Sequence, residues 1–220
     1  MTRVTTLLAG AAALGLLAAQ PALAQDTPVR GKLAGDFMIG LSVIGVVPVN
    51  GGDVDLIGGT PDVSNSVTGQ LDFTYFFTPN FSVNLIAATT RHDAEVSNSA
   101  IGLVDLGHVW ALPPTLTVQY HPLPASRYSP YVGVGVNYTM FYGEGGGYSA
   151  PVLKVDVENS FGFALNAGLD IELAPNWLLN FDVKWIYMRP DVTVDTAVGR
   201  INATANIDPF VFGVGVRYRF

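Results

Sequence analysis

A period-two alternation of apolar and polar residues runs through most of this chain beyond residue 24, and it constrains the fold more than any other feature. Successive side chains of a strand point to opposite faces, so alternation marks strands with two different surroundings. At the C-terminus Phe210, Phe212, Val214, Val216, Tyr218 and Phe220 share one face, opposite Val211, Gly213, Gly215, Arg217 and Arg219. Phe161 to Leu173 and Trp177 to Tyr187 repeat the pattern, as do Val132, Val134, Val136, Tyr138 and Met140. Weaker versions begin at Phe37, Val67, Phe81 and Leu116. Eight strands are predicted, at 36–48, 66–78, 81–91, 114–121, 130–141, 159–173, 177–189 and 206–220. None of the residues assigned to these apolar faces is charged.

Composition decides what that face meets. Charged residues make up 13% of the chain, about half the ~25% of ordinary soluble domains. The opposite faces are rich in Gly, Asn and Thr with a few charges of both signs, which suits a barrel lumen better than a solvated sandwich surface. No apolar run beyond the N-terminus reaches the ~20 residues of a spanning helix. The absence of cysteine removes disulfides, thiolate metal sites and a cysteine nucleophile. A net charge of −7 argues against nucleic acid as a partner. The fold class expected is all-β: an eight-stranded antiparallel transmembrane β-barrel, closed because lipid offers no partner to a free strand edge.

The connectors alternate in length. Short ones follow residues 78, 121 and 173, and long ones span 49–65, 92–113, 142–158 and 190–205, as expected of short periplasmic turns and long extracellular loops. Aromatics gather near the strand ends, with Phe37, Phe77, Phe81, Trp177, Tyr218 and Phe220 toward the periplasm and Tyr138 and Tyr187 toward the outside, where amphipathic rings favour the membrane boundary. Residues 1–24 read as a signal peptide: Arg3, an apolar run, then Ala22-Leu23-Ala24 before the cleavage point. Residues 25–220 are then the barrel, exported to a bacterial outer membrane whose lipid is its solvent.

Particular stretches resemble the OmpW family of small outer-membrane proteins. They are Leu112-Pro113-Pro114-Thr115-Leu116, Tyr131-Val132-Gly133-Val134-Gly135-Val136-Asn137-Tyr138-Thr139, Leu85-Ile86-Ala87-Ala88-Thr89, Asn176-Trp177-Leu178, and Asp208-Pro209 leading into Tyr218-Arg219-Phe220. The resemblance implies an eight-stranded barrel associated with passage of small hydrophobic molecules; a relative takes part in alkane uptake, and some members are phage or bacteriocin receptors. It also implies that the terminal Phe220 is read by the barrel-assembly machinery.

An eight-stranded barrel is just wide enough for side chains to fill it, which excludes a large aqueous pore. By parity the lumen holds a charge network of four acids and three bases: Asp72, Asp170, Glu172, Asp182, Lys184, Arg217 and Arg219. Buried charges must pair, so a polar plug is expected in the periplasmic half. Ile44, Val46, Phe141, Ile186 and Met188 face inward nearer the outside, and Leu56, Ile57, Ile101, Leu103 and Trp110 lie in or beside the loops above. An apolar cup over a polar floor suits small hydrophobic ligands, with passage sideways into the membrane. The alternative is a closed barrel whose loops bind partners. His92, His108 and His121 have no metal-ligand spacing, and the glycine-rich run at 143–147 lacks the ending of a phosphate loop. No nucleophile motif and no cofactor signature is present, so an enzyme is not expected.

Overall fold

The computed structural model describes residues 28–54, 58–100, 102–146, 148, 150, 152–197 and 199–220, with backbone only for Asp53 and Val54. The expected signal peptide, Leu56, Ile57 and Ile101 lie outside the described residues. The strands are β1 (Phe37–Val47), β2 (Gly52–Val54), β3 (Thr60–Val63), β4 (Ser66–Phe76), β5 (Phe81–Ala88), β6 (Thr90–Ser99), β7 (Gly102–Leu112), β8 (Thr115–Tyr120), β9 (Tyr128–Gly145), β10 (Val152–Val157), β11 (Ser160–Ala174), β12 (Trp177–Ile186), β13 (Asp191–Thr196), β14 (Gly199–Ala205) and β15 (Phe210–Arg219).

Eight of these close into an antiparallel barrel in the order β1-β4-β5-β8-β9-β11-β12-β15, with β15 returning to β1. The ladder gives the register: Val43 lies opposite Val214 of β15 and Gly69 of β4, and Val214 lies opposite Phe181 of β12. The predicted faces point as the alternation requires. Val43 is 63% exposed and Val214 50%, while Ser42 and Asp182 are buried in the lumen. This outer band of exposed Val, Leu and Phe surrounds the barrel, and lipid is the medium in which such a surface is stable.

Aromatic contacts mark its lower margin. Trp177 meets Tyr218 at 5.0 Å, Phe81 meets Tyr120 at 5.1 Å, and Phe220 meets Tyr218 at 4.8 Å between ring centres. The upper margin carries Phe163 against Tyr187 at 5.1 Å and Trp110 against Tyr142 at 6.3 Å.

The four long connectors carry strands of their own beyond the eight predicted. These are the hairpins β6–β7 and β13–β14, the short β2 and β3, the upper part of β9, and β10. The alternation continues there, but bulges break it, and its outer face changes chemistry. Along β5 into β6 the outward residues pass from Leu85 to Arg91, Asp93 and Glu95. The same backbone that faced lipid now faces water. The inward residues are mostly apolar, with Thr90, His92 and Thr196 among them, and Val96, Val104, Val152, Val155, Val194 and Ile201 form a buried cluster inside the extension.

Candidate functional site

The lumen divides into a charged floor and an apolar cavity. In the floor, Arg217 donates from Nε and one terminal nitrogen to Asp72 Oδ2 at 3.0 and 2.7 Å, and from the other to Asp170 Oδ1 at 3.0 Å. Gly40 makes room for this group: a Cβ there would lie 2.9 Å from the Asp72 carboxyl. Lys184 pairs with Asp182, which also accepts from Tyr131 Oη at 2.7 Å and Asn166 Nδ2 at 3.1 Å. Arg219 pairs with Glu172 at 3.0 Å. All seven charges placed in the lumen by parity are buried there.

Those seven leave one acid in excess, and the structure supplies the missing cation from a segment that alternation does not reach. Residues 28–36 run into the periplasmic mouth. Lys32 Nζ donates to Asp170 Oδ2 at 2.7 Å, His121 Nδ1 at 2.7 Å and Ser129 Oγ at 2.9 Å, which uses its three N–H groups. His121, accepting at Nδ1, carries its proton on Nε2 and donates it to Ser82 Oγ at 3.0 Å. The backbone N–H groups of Arg30 and Gly31 donate to Glu172, and Arg219 donates to the Gly31 carbonyl at 2.6 Å. Arg30 and Asp36 pair with each other at 2.7 Å. Five cations (Arg30, Lys32, Lys184, Arg217, Arg219) thus balance five anions (Asp36, Asp72, Asp170, Glu172, Asp182). Arg30, Lys32, Asp36, His121 and Tyr131 are floor residues absent from the predicted network. Tyr131 carried the right parity; Lys32 carried no sequence signal.

Above the floor the wall turns apolar. Ile44, Val46, Ala88, Ala164, Ile186, Met188 and Val211 form one buried cluster, with Phe141 packed against it. Met188 is held there because its N–H donates to Asp208 Oδ1 at 2.9 Å and its carbonyl accepts from Ile207 N at 3.0 Å. A cavity of about 120 Å³ runs from this cluster up through the extension and is lined by both apolar clusters. That is close to the ~150 Å³ of an engineered apolar cavity that stays dry and admits benzene. His92 and His108 also line it, and burial lowers the pKa of His92 below the ordinary imidazole value.

Ile44, Val46, Phe141, Ile186 and Met188 are therefore brought together as parity predicted. Trp110 is not among them. It stacks on Tyr142 on the outer face, and Val109 and Ala111 line the cavity instead. The pairing of β7 with β9 carries a register shift between His108 and Trp110, and beyond it Ala111 is the buried residue. Leu103 is likewise outward, at 64% exposed. The valines of the extension take the place assigned to these loop residues.

The hydrogen-bond ladder of the wall is also interrupted, although the register continues across the break. β5 pairs with β8 up to Ile86 opposite Thr115, and β6 pairs with β7 from Thr90 opposite Ala111. Between them Ala87 to Thr89 face Leu112, Pro113 and Pro114 without a ladder. The two prolines have no N–H to give. On the other side Pro114 is satisfied, its carbonyl accepting from Tyr138 N at 3.1 Å. Ala88 and Pro113 both line the cavity, so the gap adjoins it.

Comparison with known proteins places this architecture. The OmpW family profile matches residues 33–220. An outer-membrane protein of Sinorhizobium fredii, y4mB, whose function is uncharacterized, is 38% identical over 179 residues, covering 80% of this chain and 76% of its own. A more distant relative from Pseudomonas aeruginosa, the dibenzothiophene metabolism operon protein PahQ, is 23% identical over 202 residues, covering 92% of this chain and 93% of its own. The crystal structure of the outer-membrane protein OprG from P. aeruginosa superposes with a TM-score of 0.79 at 26% identity, covering 87% of this chain and 99% of that one. With a lipid-facing barrel closed at eight strands and a family match over nearly all of it, the chain belongs to the OmpW family and is a β-barrel of the bacterial outer membrane.

Proposed function

We propose that this barrel is a passive uptake channel for small hydrophobic molecules, which enter the apolar cavity from outside and leave through the side wall. The observation that carries the reading is the cavity over a sealed floor. A ligand lying against Ile44, Ile186 and Met188 has below it five cations paired with five anions. Moving an apolar molecule through that network would break buried pairs, each costing several kcal/mol. The unladdered stretch between Ala87–Thr89 and Leu112–Pro114 lies in the wall beside the cavity, and it is the exit proposed here because it avoids the floor. The name of the relative PahQ points the same way, because dibenzothiophene is a small apolar aromatic. Cleavage after Ala24 and recognition of the terminal Phe220 by the assembly machinery belong to the same proposal.

Met188→Asp tests it. A hydrated carboxylate in the cavity disfavours an apolar ligand, whereas Met188→Leu preserves apolarity and volume. Hydrocarbon entry into cells is compared at equal folded amounts. The expected result is slowed entry for Met188→Asp and wild-type entry for Met188→Leu. Equal rates for Met188→Asp and wild type would exclude the cavity from transport and favour a closed barrel whose extension meets partners.

A further inference from the structure

Gln70 stands at the junction of cavity and floor. On β4 it lies opposite Ser42 of β1 and Ala88 of β5, two residues above Asp72 and two below Thr68, which faces Ile44. It is 3% exposed and lines the cavity. Its Oε1 has no hydrogen-bonding partner among the described residues. The other polar side chains at this level of the cavity are engaged: His92 bonds the Ser64 carbonyl at 2.6 Å and Thr90 at 2.9 Å, and Thr90 Oγ1 reaches the Ala111 carbonyl at 3.5 Å. A buried carboxamide oxygen without a donor is unfavourable. A hydrocarbon filling the cavity would keep it so, whereas a ligand bearing one hydroxyl would satisfy it.

We infer that the ligand class is an uncharged, single-headed amphiphile, such as a medium-chain primary alcohol, whose hydroxyl meets the Gln70 carboxamide while its chain lies against Ile44, Ile186 and Met188. This deepens the uptake reading and rests on it. The head is uncharged because the floor beneath is balanced, five cations against five anions, each already in an ion pair. A carboxylate head would find no free cation there. Ala88, which pairs with Gln70 on one side, borders the wall gap on the other. A head held at Gln70 is thus already beside the way out.

The four glutamines, Gln20, Gln25, Gln70 and Gln119, and the four methionines, Met1, Met38, Met140 and Met188, make the test spectroscopic. The purified protein in lipid nanodiscs, labelled at glutamine side-chain nitrogen and methionine methyl, is titrated with 1-hexanol, hexane and hexanoate at matched membrane-partitioned concentrations. Hexanol is expected to move both the Met188 methyl and the Gln70 amide. Hexane should move Met188 alone, and hexane and hexanoate should each bind about three- to tenfold more weakly than hexanol, the worth of one hydrogen bond. Gln70→Leu should bring hexanol down to the affinity of hexane; Gln70→Met serves if the leucine variant does not fold. Equal affinities for hexanol and hexane in the wild type, or a Gln70 amide unmoved while Met188 shifts, would overturn the head-group site and leave hydrophobic uptake standing. A Met188 methyl moved by none of the three would overturn both.

Discussion

Asp170 is the point at which the floor is most sensitive. It is fully buried and accepts from Lys32 at 2.7 Å, Asn180 at 2.8 Å and Arg217 at 3.0 Å. Asp170→Asn keeps the shape and removes the charge. Arg217 retains Asp72, but Lys32 loses the one carboxylate it touches. A buried cation left without its partner costs about 3–5 kcal/mol. Lys32→Met makes the reverse deletion and leaves Asp170 with Arg217 and Asn180, so its cost should be smaller, about 2–3 kcal/mol. The double variant removes both charges and restores the balance. Its loss should fall short of the sum of the singles by about 2 kcal/mol. Urea unfolding from lipid vesicles, followed by emission of Trp110, Trp177 and Trp185, measures all four corners of the cycle. Additivity within about 0.5 kcal/mol would mean that Lys32 and Asp170 do not interact, and the segment at 28–36 would no longer be part of the seal.

Three further outcomes follow from the geometry. Val214→Arg, outward at mid-height between Val43 and Phe181, should cost about 2–4 kcal/mol, whereas Phe163→Arg, stacked on Tyr187 at the upper margin, should cost about 0–1 for the charge itself; equal losses in the same urea assay would disprove the assigned depths. Because burial lowers the pKa of His92, the folded protein binds fewer protons than the unfolded chain once pH falls below about 6.5, so this contribution to stability is present above that pH and is lost as pH decreases. His92→Gln should therefore show a shallower stability loss than wild type between pH 7.5 and 5, and identical slopes would rule out His92 as a contributor. Cysteines at Ala88 and Pro113, opposite one another across the wall gap in a chain without native cysteine, should slow hydrocarbon release when oxidised and restore it when reduced; unchanged release in the oxidised form, with cross-linking verified by mass, would refute exit through the wall.

The sequence by itself determined the barrel, because lipid outside and a packed lumen inside impose opposite demands on adjacent residues, and period two records both. Val43, Val214 and Phe181 read outward, and Asp72, Asp182 and Arg217 inward, from parity alone. The five cavity residues Ile44, Val46, Phe141, Ile186 and Met188 followed from the same rule, since no bulge intervenes between them and the membrane strands. Only its position in a long connector placed Trp110 above the cup; that part of the connector is a strand, and it turns Trp110 outward onto Tyr142. The extracellular strands were read as loops because their outer face is charged; water there reverses the chemistry that marks a membrane strand, while the geometry continues. Lys32 could not be read at all. It belongs to no alternating stretch, and its place is set by three partners 89, 97 and 138 residues away in the chain. The excess acid among the lumen charges was visible in the sequence, but a charge balance does not say which segment supplies the cation. Only closure of the barrel, which brings Asp170, His121 and Ser129 to one periplasmic mouth, leaves a site that a lysine from the N-terminal segment fills.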